Sequence, residues 1–128
     1  IGLASCIGDG PTEPEVSCDS ATPLTLGTFV TGTLAAGDER DVDGAYLDRY
    51  RIDVATAGTI RISMVSDDVD SFLWLRSSDG EVLDTNDDDG EGLDALMMGP
   101  LEIGCYLIEA TSADDGDTGT YALIAEAL

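Results

Sequence analysis

Tyr46-Leu47-Asp48-Arg49-Tyr50-Arg51-Ile52-Asp53-Val54 is the stretch on which the fold turns. Tyr50, Ile52 and Val54 fall on one side of a two-residue repeat, and Arg49, Arg51 and Asp53 fall on the other. Strict alternation of this kind builds a strand with one face on a core and the other in water. The pattern recurs on both sides. After an Ala57-Gly58 turn, Ile60, Ile62 and Met64 alternate with Arg61 and Ser63. Between Val69 and Arg76, Leu73 and Leu75 face away from Phe72 and Trp74, and Ser77-Ser78-Asp79-Gly80 then makes a hairpin turn into Glu81-Val82-Leu83. Aromatics on such an alternating strand pack more often than they stack on ligands, and Phe72 and Trp74 are read that way.

Upstream, Leu24 to Leu34 carries Leu26 and the pair Phe29-Val30, interrupted by Gly27 and Gly32. Downstream, Tyr106 and Ile108 share a face, as do Tyr121 and Leu123. Helical periodicity is absent apart from one turn at 93–98. The expected fold is all-β, a single antiparallel β-sandwich or jelly roll of about eight strands. Ile52, Ile62, Leu73, Leu75, Ile108 and Leu123 are its expected core. Residues 1–20 read as an extended N-terminal arm and linker, and 21–128 as the sandwich domain. No apolar run is long enough to span a bilayer.

At 128 residues the chain makes one domain, able to bury about two-thirds of its unfolded surface. Its charge is extreme: 27 acids face five arginines, for a net of −22, and the chain has no Lys, His or Gln. Such a surface repels nucleic acid and anionic membranes and attracts divalent cations. A saline habitat would favour the same composition. Without His or Lys, a Ser, Thr or Cys nucleophile lacks its usual base, and a His/Cys zinc site cannot be built. Carboxylate pairs are the acid–base machinery that remains, and seven aromatic residues are little material to line a cleft around them. The reading is therefore not an enzyme.

Six of the eleven residues from Asp84 to Asp94 are carboxylates, with Gly90 and Gly92 between them. Two carboxylates about 4 Å apart repel by roughly 4 kcal/mol at an effective dielectric of 20, so the loop splays into water or holds a cation. Oxygen donors on a flexible loop suit Ca²⁺ over Mg²⁺, although the spacing is not that of an EF-hand. If Asp79-Gly80 closes a hairpin, Asp68 and Asp70 meet this loop at one end of the sandwich. The expected Ca²⁺ ligands are Asp68, Asp70, Asp87, Asp89 and Asp94, with Asn86 and Asp88 beside them. Asp41 and Asp43 could reach a second cation, and Asp114, Asp115 and Asp117 read as an ordinary loop.

Several segments occur in the order found in a known family. Gly32-Thr33-Leu34 with Asp38 matches its opening strand. Leu47 to Val54 matches an Asp-x-Tyr-x-Ile-x-Val strand, and Ala57-Gly58-Thr59-Ile60 precedes the next. Asp68-Val69-Asp70-Ser71-Phe72-Leu73-Trp74-Leu75 leads to Asp79-Gly80, and Asn86-Asp87-Asp88 stands at an Asn-Asp-Asp position. Gly104-Cys105-Tyr106-Leu107-Ile108 and Gly119-Thr120-Tyr121-Ala122-Leu123 close the series. From about Leu26 onward the chain resembles the bacterial pre-peptidase C-terminal domain. The resemblance implies an exported, non-catalytic, jelly-roll-like sandwich of the sort that accompanies secreted hydrolases, with calcium binding in related collagen-binding modules. Cys105 departs from the family's Thr, and no hydrolase is present in these residues.

Three cysteines, Cys6, Cys18 and Cys105, lack CxxC spacing. A Cys18–Cys105 bridge would pin the linker to the core and leave Cys6 over; alternatively Cys6 bridges one of them in a neighbouring subunit. Ile1, Leu3 and Ile7 stand at strand spacing with small residues between, and ten extended residues reach roughly 33 Å. These features suggest a secreted structural subunit on a prokaryotic surface. It would polymerise with copies of itself by donating residues Ile1, Leu3, Cys6 and Ile7 to a neighbour's sheet. The alternative is an accessory module that binds matrix or substrate for a secreted hydrolase.

Overall fold

The structure is a computed structural model, and it describes residues 18, 21–36, 39–40, 45–86, 94–113 and 118–128. The strands are β1 (Thr22–Pro23), β2 (Phe29–Leu34), β3 (Glu39–Arg40), β4 (Tyr46–Val54) and β5 (Gly58–Val65). They continue as β6 (Ser71–Ser77), β7 (Val82–Asn86), β8 (Ala95–Leu101), β9 (Gly104–Ser112) and β10 (Gly119–Ala127). One sheet runs β1-β4-β9-β6-β7, with β3 also on β4; the other runs β2-β10-β5-β8. Every pairing is antiparallel except β1 on β4.

Eight of these strands have five or more residues. Taken in chain order, the first, eighth, third and sixth make one sheet and the second, seventh, fourth and fifth the other. That is the double Greek key of a jelly roll. The expected helical turn at 93–98 is instead the start of β8, paired along β5 from Met64↔Ala95 to Gly58↔Leu101. The run Leu96-Met97-Met98 hides its alternation because both faces carry large apolar side chains, Met97 buried and Met98 60% exposed.

All six expected core residues are buried, and Tyr50, Met64 and Tyr121 join them in the core. Gly80, at φ +90, closes the β6–β7 turn, a backbone conformation that glycine reaches without steric cost. The Tyr50 and Tyr121 hydroxyls meet at 2.6 Å, and Tyr121 donates to Asp48 at 2.7 Å. Burial, then the Asp48 and Tyr50 hydrogen bonds, push the Tyr121 phenol far above its ordinary range. Gly32 makes room for this pair, since a Cβ there would overlap both hydroxyls. Cys18 and Cys105 form a disulfide with Cα atoms 6.5 Å apart. Closing a loop of this length removes about 4–5 kcal/mol of chain entropy from the unfolded state on the entropic account.

The outer face of the larger sheet is also packed. On its central strand β9, Leu107, Glu109 and Thr111 are at most 1% exposed. The Glu109 carboxylate is held by Arg49 of β4 at 2.8–2.9 Å and by Arg76 of β6 at 3.0 Å. Arg76 also lies 5.3 Å from the centre of the Trp74 ring, which tilts against Phe72 at 5.7 Å. Phe72 and Trp74 are half-buried on this face.

A buried carboxylate with two guanidiniums is costly to break, because either partner alone leaves a charge out of water. Glu109→Ala is expected to destabilise the fold by about 3–5 kcal/mol. Denaturant unfolding should show this as a lower midpoint at unchanged slope.

Candidate functional site

Loop direction follows from strand direction. β2, β5, β7 and β9 end where β4, β6, β8 and β10 begin. Asp67, Asp68, Asp70, Asn86 and Asp94 therefore lie at one end of the sandwich. The opposite end carries the Gly80 turn, Ile103 and the last strand residue, Ala127.

Ser66 organises the acidic end. Its hydroxyl donates to the Thr120 carbonyl at 2.7 Å and accepts from the Asp68 and Val69 amides at 3.0 and 3.1 Å. Its own amide donates to Asp94 Oδ1 at 3.2 Å. Asp68 Oδ2 accepts from the Thr120 amide at 2.9 Å and hydroxyl at 2.8 Å. Gly119 gives it space, since a Cβ there would overlap Asp68. The Thr120 amide, and then its hydroxyl, hold the Asp68 carboxyl below the usual range. Asn86 Oδ1 accepts from the Leu96 amide at 3.1 Å. The Asp70 carbonyl accepts from Ala113 at 2.8 Å.

The structure thus brings Asp68 and Asp94 together on Ser66 and ties Asn86 to the entry of β8. Among the described residues, no three acids or cysteines converge closely enough to hold a metal ion, and Asp68 already gives one oxygen to Thr120. Asp87, Asp88 and Asp89 lie outside the described residues, as do Asp41, Asp43, Asp114, Asp115 and Asp117. Ile1, Leu3, Cys6 and Ile7 lie outside them too. Ser66 and Thr120 were not among the expected site residues. A Ser two positions before an Asp is a turn signal, but a threonine 52 residues away carries none.

A second feature lies along one side of the sandwich. Between the edge strands β7 and β8 the sheets part around an apolar hollow of about 320 Å³. Ile60, Ile62, Leu75 and Met97 line it, with Leu83 and the Asp84 carboxylate at its rim. No helix among the described residues is long and apolar enough to cross a membrane.

Ionised Asp68 is stabilised in the fold, so its contribution is present above about pH 4 and is lost as pH falls through its lowered value. Asp68→Asn should melt below the wild type at pH 6. The gap should close as pH drops below 4, which a pH series of thermal melts would read.

No family model matches the sequence, and no curated protein does. Solved structures do match. The pre-peptidase C-terminal domain of a Bacillus anthracis collagenase aligns with a TM-score of 0.67 at 23% identity, covering 90% of this chain and 99% of that domain. PliG, a periplasmic inhibitor of g-type lysozyme from Aeromonas hydrophila, aligns at 0.51 and 14% identity, over 84% of this chain and all of its own. CorA, a surface-associated copper-binding protein of Methylomicrobium album BG8, aligns at 0.55 and 6% identity, over 84% of this chain and 98% of that one. At these identities the likeness is one of fold: the chain is built as a pre-peptidase C-terminal domain is built, from end to end of that domain.

Proposed function

We propose that this chain is a non-catalytic module, working outside the cytoplasm, that binds matrix or substrate on behalf of a secreted hydrolase. One observation carries the reading: the near-complete overlay on a domain that belongs to a collagenase. Composition supports it, since a chain without His or Lys has few means of general acid–base or nucleophilic catalysis. The Cys18–Cys105 disulfide fits an oxidising compartment. Passed over immobilised collagen and insoluble polysaccharide, the monomer should be retained by one of them. Passage through both would end this reading.

Calcium belongs to the same proposal. Asp68, Asp70, Asn86 and Asp94 gather at one end of the sandwich, and Asp87, Asp88 and Asp89 are contiguous in sequence with Asn86. A cation taken up there by the folded chain alone would add about 2.7 kcal/mol at a hundredfold excess over Kd. The melting temperature should rise in millimolar calcium and fall in chelator. An equal rise with monovalent salt would mean charge screening and no site.

A second reading is favoured by the open apolar seam between β7 and β8. In it, the chain assembles with copies of itself by donating the apolar arm Ile1–Ile7 as a strand. The two readings separate on size: a retained monomer for the first, a large particle or fibre for the second.

A further inference from the structure

The two seams of the sandwich are closed differently. On one side, β1 pairs with β4, and Ala21 and Leu24 are buried beside it. On the other, β7 and β8 leave the 320 Å³ hollow. Its cause is local. The inner face of β8 runs Ala95, Met97, Gly99, Leu101, and Gly99 stands opposite Ile60 with nothing within 4 Å of where its Cβ would be. The position of β8 that faces Ile60 carries no side chain, although Ile60 itself is buried. Leu83 and Met98 at the rim are 45% and 60% exposed. The hollow is roughly twice the size of an apolar cavity of about 150 Å³ that admits benzene, so it has room for two aliphatic side chains. β8 is the last strand of its sheet. It keeps a regular register with β5, whereas β7 is shifted at Leu75/Arg76.

Resting on the strand-donation reading, we propose that this seam is the acceptor. Residues 1–7 of a second copy pair with the outer edge of β8, which has no strand partner among the described residues, and place Ile1 and Leu3 in the hollow. Seventeen residues precede Cys18, where the disulfide fixes the chain to β9. Residues 1–8 carry no acidic or basic side chain other than the Cys6 thiol, so their side chains bring no carboxylate, ammonium or guanidinium into the seam. Residues 8–15 contain Pro11 and Pro14 with Asp9, Glu13 and Glu15. Proline favours extension at about 3.1 Å per residue, and the acids are repelled by an acidic body. An extended linker of this length would give residues 1–7 the reach to meet a second copy. Donor and acceptor are different surfaces, so the contact is head-to-tail and propagates as an open chain.

Gly99→Phe directs a ring at the hollow from a position where a Cβ meets nothing within 4 Å, and Leu3→Asp puts a charge on the donor. Sedimentation of the full-length chain should show multimers for the wild type and monomers for both variants, with unchanged β circular dichroism. Gly99→Phe should melt no lower than the wild type. A synthetic peptide of residues 1–10, in excess over the wild-type chain, gives a readout independent of either variant: it should shorten the multimers and slow amide exchange in β8. No competition and no protection would overturn the assignment. If Gly99→Phe folds and assembles like the wild type while Leu3→Asp does not, the seam is not the acceptor although strand donation stands. If Leu3→Asp also assembles, strand donation itself is wrong. A wild-type monomer whose β8 amides become exposed only in Leu3→Asp would mean that the arm fills its own seam, which overturns the intermolecular assignment.

Discussion

Repulsion among carboxylates is the constraint to which the rest of this domain is fitted. With 27 acids and five arginines, the few cations have to sit where a negative charge would otherwise be intolerable. Each arginine whose side chain is described stands beside a carboxylate, and one of those carboxylates is fully buried. Arg49 and Arg76 hold buried Glu109, Arg61 holds Glu126 at 2.7 Å, and Arg51 reaches Asp53 at 3.9 Å. These are cross-strand or same-strand partners on the two outer faces, so the sheets themselves are close to neutral. Asp48, half-buried on β4, accepts a hydrogen bond from the Tyr121 hydroxyl. Uncompensated acids such as Asp67 and Asp68 are left to the segments between strands, where water screens them.

The fold was legible because period-2 alternation is a local property. Ile52, Ile62, Leu73 and Leu123 can each be assigned to the core from two or three neighbours in sequence, and all are buried. β8 was not legible, because Leu96, Met97 and Met98 present apolar side chains to both faces and Gly99 removes the next beat of the repeat. The Glu109 clamp was out of reach for another reason: its partners lie 60 and 33 residues away. A charged residue on an alternating strand reads as a solvent-facing one until the register is known.

The acidic end shows the same division. That Asp68 and Asp94 come to one end follows from counting turns. What each carboxylate does there depends on Ser66 and Thr120, which only the strand order brings near. The hollow beside β8 was hidden because it arises from a missing side chain on a strand that the pattern did not reveal. Ser71 Oγ and Trp74 Nε1 are buried without a hydrogen-bond partner among the described residues.

The disulfide between Cys18 and Cys105 has a mechanical consequence. β1 is only two residues long and sits at the sheet edge, so tension applied to the chain before it would peel it away one bond at a time. The cross-link diverts that tension to β9, which is bonded on both sides by β4 and β6. Pulling there loads the ladders on both sides of β9. Rupture is then governed by the unfolding rate of the central sheet and not by the fraying of its edge.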